Sequence, residues 1–442
     1  MVIRINMLTP EIVISALPPE TERVYIAYSG GIDSHVLLQL ASQTEFKSKI
    51  TAVYVHHGLQ EEADSWAQHC EQVCQVLDVK FKFLKVNAKK SNGQSPEEVA
   101  RDARYSALKN LLAKNDVLLL GQHREDQLET VLLQLFRGAG VQGLSGMPLT
   151  KAIGNGILCR PFLNTPKQVI NNYAIENGLN WVEDPSNKND DFDRNFLRNT
   201  ILPQLRQRWP AIDKTVARSA RHCANAFNIT EDLANNLLSK LYEKQDQTLN
   251  ITHLLELDID KQHLVIRQWF SCLKLRMPSE KNLQRIINEV VLARSSANPE
   301  VQGRGYCIKR YRHKLFCLIP KPELALIEQQ WPKNQKILNL NDEQQLQLIE
   351  SDAGILKSLW LNSVISLRFR KGTEKIRLPG RSGHHTLKKL YQEKGIPPWE
   401  RNDIPLIYIN NNLAVVVGVG ISADTFSNKK GECYQINRLV IE

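Results

Sequence analysis

The sequence predicts an α/β protein: an N-terminal Rossmann-like parallel sheet, then a mainly helical middle domain and a small α+β C-terminal domain. Three observations carry this. Strand-like and helix-like segments alternate from Val24 to Phe136, which is how a parallel sheet with helices on both faces is written. A glycine-rich turn, Ser29-Gly30-Gly31-Ile32-Asp33-Ser34, joins the first strand directly to a helix. Beyond about Pro203 long helical periodicity takes over, and residues 351–442 are again strand-rich.

Val24–Tyr28 is an apolar run of strand length, and Lys49–His56 is a second. From Glu62 to Leu77, Trp66, Cys70, Val73 and Leu77 recur at helical spacing. Val79–Val86 alternates as a strand. Ser95-Pro96-Glu97-Glu98 combines an N-cap, a first-turn proline and a capping-box glutamate, so a helix runs to about Ala113. Asp116–Gly121 is another short strand, and Gln127–Phe136 is a helix stopped by Gly138. In such sheets ligands lie beyond the carboxyl ends of the strands. Further along, Ile212–Leu241 and Lys281–Leu292 are helical, and residues 306–320 make a basic, aromatic strand. The charged, Gln-rich stretch 323–350 is the best linker candidate. The domains are therefore residues 1–213, 214–325 and 351–442, with a linker at 326–350.

The net charge of +10 is unevenly placed. Residues 1–213 carry 23 Lys+Arg and 24 Asp+Glu, whereas residues 214–320 carry 17 and 10, and residues 351–442 carry 14 and 8. A neutral front half with a basic back half fits a catalytic domain joined to domains that hold a polyanion. Eight scattered cysteines form no C-x-x-C pair, which points to a reducing, cytoplasmic setting. The longest apolar run, Leu413–Ile421, is too short to span a bilayer, so no membrane partner is expected. Pro10 and Glu11 interrupt the N-terminal apolar stretch, so no secretory signal is expected.

Five stretches could carry chemistry. In the first, Gly30 and Gly31 let backbone approach a ligand, the helix start at Asp33-Ser34 favours an anion, and Ser29 and Ser34 add hydroxyls. No lysine follows the glycines, unlike the common phosphate loop. In the second, "GQHREDQLET" (121–130), His123, Glu125, Asp126 and Glu129 gather where a strand becomes a helix. Packed carboxylates want a metal or a cation beside them, although a helix start alone also favours acids. In the third, His56 and His57 close the second strand and are as readily structural as ligating. In the fourth, Arg101 and Arg104 share a helix face that solvent could equally claim. In the fifth, Arg194, Asn195 and Arg198 follow the acidic "WVEDPSNKNDDFD", and the two arginines, four apart, could grip one phosphate.

The strand–SGGIDS–helix pattern resembles the PP-loop of ATP pyrophosphatases, a fold shared by GMP, NAD and asparagine synthetases and by tRNA thiolases. Those enzymes split ATP between the α and β phosphates. Taken in order, SGGIDS, VHHGLQEEADSW, EEVARDARY, QHREDQLET with RGAG and GLSGM, RPFL, WVEDPSN and DRNFLR resemble the tRNA(Ile)-lysidine synthetase family. The segment "LPGRSGHHTLKKLYQEKGIPPWERNDIPLIY" is similar to that family's C-terminal domain. Where the family commonly has two aspartates, this chain has Glu125-Asp126, so more weight rests on Asp126.

The resemblance implies that Ser29, Gly30, Gly31, Ile32, Asp33 and Ser34 hold ATP, with Asp33 near Mg²⁺. It implies that lysine is joined to carbon 2 of the wobble cytidine in the CAU anticodon of a minor tRNA(Ile). Cytosine O2 is a poor leaving group; adenylation turns it into AMP, and the lysine ε-amine then attacks. That amine has a pKa near 10.4 and must lose a proton, so Asp126, Glu129 or His123 is expected to orient it or take the proton. Arg104, Arg137, Arg194, Asn195 and Arg198 are expected near the tRNA. Lys309, Arg310, Arg312, Lys314, Lys388, Lys389 and Lys394 are expected to contact its phosphates. A homodimer is left open. The rivals are a PP-loop tRNA thiolase, for which Cys159 is the candidate sulfur group, a glutamine amidotransferase, disfavoured by Val2, and a non-catalytic RNA-binding protein on a decayed loop.

Overall fold

The computed structural model describes residues 8–56, 58, 62–86, 96–294, 297–320, 327–341 and 344–440. His57, Ser95 and the 325/326 boundary lie outside them, as do the side chains of Glu97 and Glu98. The chain divides into two compact units, Met1–Leu233 and Ala234–Glu442.

The first unit is built on a six-stranded sheet of β1 (Val24–Ala27), β2 (Ile50–His56), β3 (Lys80–Lys85), β4 (Val117–Leu119), β5 (Thr150–Ile153) and β6 (Gly156–Cys159). The strand order is β3-β2-β1-β4-β6-β5. All neighbours are parallel except the edge strand β5. The helices are α1 (Glu11–Ile14), α2 (Ile32–Ser42), α3 (Ala63–Leu77), α4 (Pro96–Leu111), α5 (Arg124–Phe136), α6 (Val141–Leu144), α7 (Lys167–Glu176), α8 (Asp193–Phe196), α9 (Leu202–Arg208) and the start of α10 (Ile212–Leu241), whose last turns from Ala234 belong to the second unit. Strand alternation sorts them to two faces. Val24 and Ile26 pack with Val36 and Leu37 of α2, Cys70 and Cys74 of α3 and Ile170 of α7. Tyr25 points the other way, into a cluster with Leu108 and Leu112 of α4. Cys70 and Cys74 of α3 are thus core residues.

The strand order reverses between β1 and β4, and a crevice at such a switch point is where a doubly wound sheet takes its ligand. Three connections leave the sheet there: the SGGIDS loop after β1, Gly121–His123 after β4, and Arg160–Pro166 after β6.

The second unit holds the helices α11 (Ile251–Leu255), α12 (Ile259–Cys272) and α13 (Glu280–Arg285). They accompany a five-stranded antiparallel sheet of β7 (Tyr242–Glu243), β8 (Thr248–Asn250), β9 (Glu300–Gly303), β10 (Tyr306–Tyr311) and β11 (Lys314–Leu318). Residues 306–320, expected as one strand, are a hairpin. Arg312 adopts φ +54 and turns the chain, pairing Tyr311 with Lys314.

The linker expected at 326–350 is also corrected. That segment contains β12 (Gln329–Gln330) and β13 (Ile337–Asn341), and β14 (Gln344–Ser351) pairs along its whole length with a chain-terminal strand, Cys433–Val440. Its glutamines alternate with buried Leu346 and Leu348, so a polar composition hid a half-buried strand.

Candidate active site at the phosphate loop

The loop is held from both sides. Gly30 has φ +82, and a Cβ there would stand 3.1 Å from Cys70 Sγ and 3.4 Å from Val182. The Gly30 carbonyl accepts the Val182 N–H at 2.9 Å, so the "WVEDP" segment pins the loop. The Ser29 N–H donates to Ser34 Oγ (3.2 Å), which itself donates to the Gly31 carbonyl (2.9 Å). This closes the turn and starts α2, with Gly31 as its N-cap. Gly121, after β4, comes so close that a Cβ would lie 2.9 Å from the Asp33 carbonyl. Sequence reasoning used Gly121 only as a strand end.

Facing Asp33 stands a charged cluster. His123 caps α5: its N–H donates to Asp126 Oδ2 at 2.9 Å. Its Nδ1 meets Glu125 Oε2 at 3.1 Å, and its Nε2 lies 3.4 Å from Asp126 Oδ2 and 3.8 Å from Asp33 Oδ1. Glu129 is fully buried and accepts three hydrogen bonds: from Arg194 Nε (2.7 Å), Arg198 Nε (2.6 Å) and Arg198 Nη2 (2.8 Å). Asp126 Oδ1 accepts from both arginines, at 3.0 and 3.2 Å. The charges set one another. Burial opposes ionisation of Asp126, but His123 and the two guanidiniums outweigh it and hold its carboxyl below the ordinary value. Glu125 is likewise lowered: burial is overcome by His123 and the Lys167 N–H. Burial works against protonation of His123, yet Glu125, Asp126 and Asp33 together raise its pKa above 6.5.

Lys167, absent from the sequence-based candidates, completes the group. Its ammonium pairs with Asp33, and its backbone N–H donates to Glu125 Oε2 at 2.9 Å. A lysine just after Pro166 at a helix start was the available signal.

The other candidates distribute differently. Arg194 and Arg198 occupy the carboxylates rather than standing free for a phosphate. Asn195 donates to the carbonyls of Ser186 and Asn189, bracing the acidic loop. Arg104 stacks on Tyr105 on α4, and Arg137 is exposed at the end of α5. His56 is structural, held between Asp64 (3.2 Å) and the Gly58 N–H (3.2 Å). In the second unit Lys309 pairs with Glu300 (2.9 Å), Arg310 donates to the Val291 and Ala293 carbonyls, Arg312 to the Gln392 carbonyl, and Lys314 pairs with Asp246 (2.7 Å). These four, expected to face phosphates, each have a partner within the second unit. Lys388 and Lys389 are exposed on the helix Leu387–Glu393.

A parallel sheet with this loop at its switch point defines a PP-loop nucleotide-binding domain, and residues 6–205 match the description of a PP-loop domain. Residues 249–316 match a TilS substrate binding domain, and residues 365–438 a TilS substrate C-terminal domain. The chain is 39% identical over 414 residues to the tRNA(Ile)-lysidine synthase of Methylococcus capsulatus, covering 93% of this chain and 94% of that protein. It is 39% identical over 399 residues to that of Coxiella burnetii, covering 89% and 88%. With that of Legionella pneumophila (strain Lens) the identity is 37% over 437 residues, covering 97% and 98%. The chain belongs to the tRNA(Ile)-lysidine synthase family.

Proposed function

We propose that this protein joins L-lysine to carbon 2 of the wobble cytidine in the CAU anticodon of tRNA(Ile), using ATP. One observation carries this: in a chain of this family, the phosphate loop meets the carboxylate–guanidinium cluster at Asp33 and His123. The cytosine O2 attacks the α-phosphorus, the α–β anhydride breaks and pyrophosphate leaves. The lysine ε-amine then bonds to carbon 2, and the C–O bond breaks to release AMP. The target base must be splayed from its loop to reach such a crevice.

The chain's own residues have distinct tasks. Backbone N–H groups at the start of α2 hold the departing pyrophosphate. Asp126, held ionised by His123, Arg194 and Arg198, draws in the substrate ammonium, and the buried Glu129 fixes the two guanidiniums in place. Glu125 accepts at Nδ1 of His123, selecting the tautomer whose Nε2 lone pair faces Asp33 and Asp126. A histidine raised above 6.5 is better matched to taking the amine proton than a carboxylate held low. Mg²⁺ fits at Asp33. The carboxylate is partly exposed beside the phosphate loop, where an ion could bridge it to phosphate oxygens. One carboxylate suits an ion whose remaining ligands are phosphate and water. When bound, it would neutralise triphosphate charge.

The test is Asp126→Ala. Loss of lysine transfer is expected; unchanged adenylation and transfer would refute the assignment. A thiolase is disfavoured because Cys159 is buried and its thiol is pushed up to about 11. ATP–pyrophosphate exchange separates the enzyme from a decayed RNA-binding protein. Among the described residues no helix is long and apolar enough to cross a membrane. The proposed place of work is the cytoplasm, where tRNA, ATP and lysine meet. A homodimer would appear in sedimentation.

A further inference from the structure

We infer that Lys167 is the phosphate-binding cation that the SGGIDS loop lacks in its own sequence, delivered from α7 and parked on Asp33 until ATP enters. The inference rests on ATP being the nucleotide of this site. A helix N-terminus contributes only about half a positive charge, and even a divalent ion at Asp33 leaves part of a triphosphate's charge unmatched, so the loop gains from a side-chain cation. Arg194 and Arg198 are committed to the buried Glu129 and to Asp126. Lys167 is placed otherwise. Its ammonium rests on Asp33, the second residue of α2, and the two side chains are 29% and 30% exposed. An ion pair that solvent and an incoming ligand can reach is open to exchange of partners.

The backbone of Lys167, by contrast, is fixed. Its N–H is held by Glu125 Oε2, and the preceding turn is tied to α5 by the Arg124 N–H donating to the Thr165 carbonyl at 3.1 Å. The anchor is rigid and the charged tip is held only by a partner that itself belongs at the phosphates. When the triphosphate arrives, the ammonium moves from the Asp33 carboxylate to phosphate oxygens, and Asp33 is released. Before that, the pair masks both charges.

The test is ATP binding by calorimetry to the full chain, without tRNA or lysine, so that it stays readable whatever the acceptor proves to be. Lys167→Gln should weaken ATP about 10- to 100-fold, the loss of one charge-assisted bond, and Lys167→Arg should restore most of it. In the presence of EDTA, Asp33→Asn should bind ATP more tightly than the natural protein, because Lys167 is no longer masked. That gain should vanish in Asp33→Asn/Lys167→Gln. Unchanged ATP affinity in Lys167→Gln, or an Asp33→Asn gain that persists in the double variant, would overturn the inference. Should Lys167→Gln fail to fold, Lys167→Met is measured against the same outcomes.

Discussion

Replacing Gly121 by alanine perturbs the loop without touching any group that does chemistry. The added Cβ would stand 2.9 Å from the carbonyl carbon and oxygen of Asp33 and 3.1 Å from the Ser34 nitrogen, where ordinary contact begins at 3.4 Å. Every crowded atom is backbone, so no side chain can swing away, and the first turn of α2 must retreat by about 0.5 Å. Overpacking of this kind costs about 1–3 kcal/mol. If about 1.4 kcal/mol of that cost falls on the ATP-binding geometry of the loop, ATP should weaken about 10-fold. The chain has two units, so a single global midpoint is not a two-state quantity. Stability is therefore read from hydrogen exchange of β1 and α2 amides, and affinity from calorimetry. Gly140→Ala is the control, since φ is −74 and nothing lies within 4 Å of its Cβ; it should fall within about 0.5 kcal/mol of the natural protein. Natural ATP affinity and protection in Gly121→Ala would refute the claim that β4 and the loop are packed backbone to backbone.

Other outcomes follow from the charge cluster and the basic surface. Glu129→Ala strands two guanidiniums; breaking a buried pair costs about 3–5 kcal/mol, and the partial exposure of Arg198 reduces this to about 2–3, measured by exchange of α5 amides. A loss under about 0.5 kcal/mol would sink that view. The Asp126 carboxyl is held below 3.8, so its contribution is complete at neutral pH and disappears as pH falls below about 4. Asp126→Asn should flatten the acid limb of the stability curve, and an unchanged limb would contradict the ion pairs. The tRNA affinity should fall steeply with salt, and Lys388→Gln/Lys389→Gln should reduce the log–log slope by about 2. Lys309→Gln should instead loosen the β10 hairpin, because Lys309 holds Glu300 and lies over the Trp399 ring, and leave that slope unchanged.

Much of the first unit was legible because its signals are local. The alternation of apolar runs, the Gly30 turn and the Gly138 helix stop each act over a few residues, and the reversal of strand order brought the SGGIDS and QHRED stretches to one crevice. The arginines of DRNFLR were legible as site residues but not in their role. Which anion a guanidinium holds depends on a residue such as Glu129, 65 positions away from Arg194. Lys167 was missed for the same reason: nothing near it in sequence announces Asp33. The strands of the second unit were harder still. β14 pairs with a strand more than eighty residues later, and only burial of Leu346 and Leu348 on one face distinguishes it from a polar linker.

The most direct measurement uses purified protein, Mg-ATP, labelled lysine and an unmodified tRNA(Ile) transcript bearing CAU, with label counted in acid-insoluble RNA. The account predicts ATP-dependent incorporation that is lost in Asp33→Ala and absent with methionine tRNA. ATP cleaved to AMP in the presence of that RNA, with no lysine incorporated, would contradict it.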